Sequence, residues 1–128
     1  RMNRITVSNF ATVTARKRFG KWVDGERAFT IMAKPRPQYG ELGEGAVSCF
    51  VPPVRLLESV QQGRITADEY FAELRRLWTA DYSVLTTATG DMVRDGDWLC
   101  CACAVGKPCH RNVVADILSR FGWEVKRG

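Results

Sequence analysis

Cys101, Cys103, Cys109, His110 and Arg111 are the residues of this chain that could do chemistry. They fall in the stretch from Trp98 to Asn112, which holds four of the five cysteines and the single histidine. A thiolate is a nucleophile and a metal ligand. An imidazole moves a proton near neutral pH. A guanidinium grips phosphate or carboxylate.

A strand, a turn and a helix must position them. Leu99, Cys101 and Cys103 alternate with Cys100, Ala102 and Ala104. All are small or apolar, so the strand is expected to be buried on both faces, as in the middle of a parallel sheet. Gly106 and Pro108 break it. Val113, Val114, Ile117, Leu118 and Phe121 follow at helical spacing, and Gly122 suits a helix C-terminus. Trp123 to Val125 predicts a last short strand.

A helix beginning near Cys109 would present unpaired N–H groups and a partial positive charge. Lys107 and Arg111 add to that field. An anion is favoured there, and the Cys109 thiol is expected to ionise more easily. The first chemistry is therefore an anion or nucleotide pocket, with Cys109 as nucleophile, His110 as proton carrier, and Lys107 and Arg111 on the ligand. The second is a zinc site of Cys101, Cys103, Cys109 and His110, since two strand cysteines on one face could share a metal. Its spacing is not that of paired Cys-x2-Cys knuckles. The third makes the thiols plain core, the expected role of Cys49 and Cys100. After Cys103 and Cys109 no arginine falls at the interval of a phosphatase-type Cys-x5-Arg loop, because Cys109 follows Cys103 and Ala115 follows Cys109 there.

Upstream, Arg4 to Phe10 is a β-branched first strand. Ser8 and Asn9 at its end would face the same crevice as Cys109 if the sheet is parallel, or would simply cap the next turn. Arg16-Lys17-Arg18, Lys21 and Trp22 form a basic, aromatic segment that could hold a nucleic-acid backbone or remain a solvated surface. Arg27 to Ala33 predicts a second strand. Lys34 and Arg36, in the proline-broken loop beyond it, could reach the anion. Val54 to Gln62 predicts a short helix stopped by Gly63. Thr66 and Glu69 form a capping box for a helix reaching Trp78, with Tyr70, Phe71, Leu74, Leu77 and Trp78 inward. Asp81 to Asp97 is expected to be an irregular or short helical connection into the central strand, and its aspartates lack calcium-loop spacing.

A chain of 128 residues with 45% hydrophobic and 26% charged residues suits one globular domain. No apolar run approaches a membrane span. An odd cysteine count with adjacent cysteines fits reduced thiols and a cytoplasmic setting better than a disulfide framework. The formal charge of +5 leaves room for anionic partners.

Leu99-Cys100-Cys101, Pro108-Cys109-His110-Arg111 and Val114-Ala115-Asp116-Ile117-Leu118 together resemble the domain of unknown function 488 family, which includes phage-borne members. Ile5 to Phe10, Ile31 to Pro37 and Gly63 to Tyr70 are similar to the same family. A second uncharacterised family, with a Cys-x-Cys strand and a Cys-His-Gly helix start, looks related through Cys101, Cys103, Cys109 and His110. The first resemblance implies a compact α/β fold and carries Cys101, Cys109, His110 and Arg111 as matched positions, but it implies no activity. Where that family often has an acidic residue, this chain has Cys103.

The expectation is a single α/β domain over residues 1–128, with a mostly parallel sheet of four or five strands and packed helices. Its expected role is nucleotide- or nucleic-acid-related binding or catalysis, with Ser8, Asn9, Lys34 and Arg36 completing the pocket. The cofactor is left open. The alternative is a non-enzymatic phage-type module that binds a host protein or DNA through basic loops, with the Cys/His cluster structural or zinc-binding.

Overall fold

In the computed structural model the described residues are 3–32, 47–81, 83–84, 93–101 and 109–127. Their order is β1 (Arg4–Asn9), α1 (Phe10–Arg18), β2 (Ala28–Thr30), a 3-10 turn (Ser48–Phe50), α2 (Val54–Gln61), α3 (Ala67–Thr79), β3 (Asp97–Cys101), α4 (Arg111–Arg120) and β4 (Glu124–Arg127). Four strands form one sheet in the order β2-β3-β1-β4, and every pairing is parallel. This is the α/β fold that the alternating patterns predict.

Both middle strands are apolar for the expected reason. All five residues of β3 are buried, because strands flank it and other elements cover both its faces. Register pairs Val7 with Leu99 and Asn9 with Cys101, so these side chains share one face. Ser8 and Cys100 pair on the opposite face. α4 covers the Val7 face: Arg111 reaches Cys101, and Asp116 bonds Arg127, which is in register with Val7. α1 turns back over the other face, where the Arg16 guanidinium lies 5.1 Å from the Trp98 ring centroid. The chain thus leaves two adjacent strands toward opposite faces. In open α/β sheets, ligands collect beyond the C-terminal ends of strands whose following helices part in this way.

The helices follow their local signals. Thr66 accepts from the Glu69 N–H while the Glu69 carboxylate accepts from the Thr66 N–H, so the capping box forms as expected. Tyr70, Leu74 and Trp78 are the buried stripe of α3. Phe71 and Leu77, expected inward with them, are half-buried. Gly122 adopts φ 90° just past α4, a conformation that a side chain would resist. α1 is the element that periodicity misses. It buries only Phe10 and Val13, and it depends on Asn9, whose Oδ1 accepts from the Thr12 N–H and hydroxyl at 2.8 Å.

Strand lengths differ from expectation. β1 ends at Asn9 because Asn9 becomes the helix cap. β2 is three residues long and β4 runs on to Arg127. Most of the expected connection from Asp81 to Asp97 lies outside the described residues, as does the proposed continuation of β3 through Ala104. Among the described residues no helix is long and apolar enough to cross a membrane.

Candidate functional site

Cys101 ends β3, and Cys109 and His110 lead into α4. The parallel sheet brings Asn9, in register with Cys101, to the same place. The side chains of Cys101, Cys109, His110 and Arg111 are 0%, 3%, 9% and 6% exposed, so their polar atoms must satisfy one another.

They do so in a single chain. A guanidinium nitrogen of Arg111 donates to Cys101 Sγ at 3.1 Å. Cys101 Sγ is 3.2 Å from Cys109 Sγ, and Cys109 Sγ is 3.6 Å from His110 Nδ1. His110 Nε2 is 2.6 Å from the Ile31 carbonyl oxygen. A carbonyl only accepts, so Nε2 carries the hydrogen and Nδ1 of the neutral ring has a lone pair toward Cys109. All donors then run one way: Arg111 to Cys101, Cys101 to Cys109, Cys109 to His110, His110 to Ile31. Aligned hydrogen bonds polarise one another inside a protein.

The electrostatics fit this direction. Burial holds the His110 imidazole down, with a pKa near 4; the Ile31 contact opposes the shift and the Arg111 charge adds to it. The ring is therefore neutral at physiological pH and able to accept a proton from Cys109. Burial pushes the neighbouring Cys100 thiol up to about 12, with a smaller push from Cys101. Cys100 points to the other face and is core, as its composition suggests. Trp78 packs edge-on to the His110 ring at 6.4 Å between centroids and helps to keep water away.

Three features differ from expectation or lie beyond sequence reading. First, the N-terminus of α4 is not an open cradle of N–H groups. Asn112 N–H bonds the Cys109 carbonyl and Val113 N–H bonds the His110 carbonyl. Among the described residues, Arg111 brings positive charge to the site. Second, Asn9 is beside Cys101 but its Oδ1 caps α1, and Ser8 is buried with Cys100 on the opposite face. Third, the Ile31 carbonyl that orients His110 has no side-chain signature, and only the turn after β2 places it there.

Lys34, Arg36, Cys103 and Lys107 lie outside the described residues. Among the described residues no group of three or more His, Cys, Asp or Glu is arranged to hold a metal ion. Two zinc–sulfur bonds of about 2.3 Å at a tetrahedral angle set their sulfurs about 3.8 Å apart. Cys101 and Cys109 are closer than that, at 3.2 Å. The basic segment is partly used internally: Arg16 bonds Glu26 and the Lys21 carbonyl, and Trp22 packs on Trp98.

The chain matches no protein-family model, no curated protein and no solved structure.

Proposed function

We propose that the β3–α4 junction is a thiol-centred site for an anionic, nucleotide-type ligand, with a binding or catalytic role on nucleotides or nucleic acid. Cys109 is the nucleophile, His110 Nδ1 takes its proton, and Arg111 supplies the positive charge that steadies a thiolate and draws the anion. One observation carries this reading: the one-way hydrogen-bonded chain from Arg111 through both thiols to His110, at the C-terminal end of β3. A nucleophile, a base within reach of it and a group that orients the base are the usual components of such a site.

The test is protection of Cys109 from alkylation. The purified protein is first weighed intact and denatured, to detect any zinc or ligand it carries. Its thiols are then alkylated with and without inorganic phosphate and a panel of nucleoside mono-, di- and triphosphates. Cys109 is expected to react faster than Cys100, and at least one anion is expected to slow it. Arg111→Lys should weaken that protection without unfolding the chain. A Cys109 as inert as Cys100, unprotected by any anion, overturns the proposal. Steep salt-dependent binding to DNA in that case would favour the module reading.

A further inference from the structure

The two sulfurs are closer to each other than a nucleophile and base require. Cys101 Sγ and Cys109 Sγ are 3.2 Å apart, both are buried, and neither is in a disulfide. A disulfide needs them about 2.05 Å apart, so a movement of about 1 Å would join them. Their positions allow it, because Cys101 is the last residue of its strand and Cys109 precedes the first turn of α4. Cys101 sits at the end of a regular element and Cys109 just outside one.

We propose that Cys101 and Cys109 are a redox-active dithiol, which a hydroperoxide oxidises to an intramolecular disulfide. The chemistry uses groups already in contact. Cys101, facing the Arg111 guanidinium, reacts as the thiolate. Its proton passes through Cys109 to His110 Nδ1; its sulfur attacks one oxygen of the peroxide, the O–O bond breaks, and the other oxygen leaves as hydroxide, which takes that proton back from His110 and departs as water. Cys101 becomes a sulfenic acid. His110 Nδ1 then accepts the Cys109 proton, and Cys109 sulfur attacks the sulfenic sulfur. The S–S bond forms as the S–O bond breaks, and the released hydroxide takes that proton from His110 as a second water. In sum, two thiols and one hydrogen peroxide give one disulfide and two waters.

The burial that shields the pair selects the oxidant. Hydrogen peroxide, close to water in size, needs a smaller local opening than a bulky disulfide does to reach thiols that are 0% and 3% exposed. Cys100 serves as an internal control: it is adjacent in sequence, yet it lies on the opposite sheet face and its thiol is held protonated. The inference needs no bound anion or nucleotide, so it stands or falls apart from the proposed function.

The experiment is oxidation of the folded, fully reduced chain with hydrogen peroxide. Free thiols are then blocked and the disulfides are mapped by peptide mass spectrometry. The expected product is a Cys101–Cys109 link that dithiothreitol reverses, formed at least about tenfold faster than any modification of Cys100. Cys49→Ser with Cys100→Ser should leave that rate unchanged. Cys109→Ser, checked for folding by circular dichroism, should instead accumulate a sulfenic acid at Cys101 that dimedone captures. A wild-type chain that remains reduced, or that links either cysteine to Cys103, overturns the proposal, and neither result depends on a variant folding.

Discussion

Glu26 and His110 are ionisable groups drawn inward at opposite ends of the sheet, and burial has opposite outcomes for them. At Glu26 burial raises the carboxyl pKa, but hydrogen bonds from Val23, Trp98 and Arg16 outweigh it and hold the group below its usual range. At His110 burial dominates, the single contact to Ile31 cannot offset it, and the ring is held neutral. The N-terminal end of the sheet is built from matched charges. Arg27 grips Asp97 through two bonds at 3.0 and 2.6 Å, and Arg16 meets Glu26 at 3.1 Å. At the C-terminal end the cation meets sulfur, and the base faces a thiol. Matched charges hold a fold in one arrangement; a cation beside a thiol changes its interaction when the thiol loses a proton. The first end reads as scaffold, and the second is where we propose chemistry.

The contrast can be broken first at Arg27. Asp97 is 2% exposed, so Arg27→Ala leaves a buried carboxylate without its bidentate partner. The expected loss is about 3–4 kcal/mol, read from urea unfolding, because uncompensated buried charge is costly. A loss under about 1 kcal/mol would mean that this pair is no more than a surface bridge.

The next largest effect tests the other end through pH. The folded pKa of His110, about 4, lies below its ordinary 6.5. The unfolded chain therefore binds the extra proton first as pH falls. The stability contribution is fully present above about pH 6.5 and is lost progressively down to about pH 4. It amounts to about 3 kcal/mol. Unfolding curves at several pH values should show that slope in the wild type and lose most of it in His110→Gln. An unchanged slope would place the titration on another group.

The smallest effect lies away from both ends. Thr66→Ala removes the side-chain half of the α3 capping box and should cost about 1 kcal/mol. Thermal melts should show this with Cys109 alkylation unchanged. A change in alkylation would mean that α3, through Trp78 against His110, tunes the thiol site as well as supporting it.

Local pattern alone identified the parallel α/β architecture, the doubly buried β3, the capped α3 and the glycine stop of α4. Each rests on interactions within a few residues: alternation, a box spanning Thr66 to Glu69, a left-handed Gly122. It also singled out Cys109, His110 and Arg111, since their types are rare and adjacent. The tertiary structure decided what these residues touch. Strand order placed Asn9 beside Cys101 and gave Asn9 to the cap of α1. The turn after β2 brought the Ile31 carbonyl to His110 and so chose its tautomer. The packing of α4 on the sheet set Arg111 on Cys101 and brought the two sulfurs into contact. Asn9 is legible in sequence as a site neighbour or a cap; the other contacts are not, because they are made by a backbone carbonyl or depend on side-chain direction, which residue type does not encode.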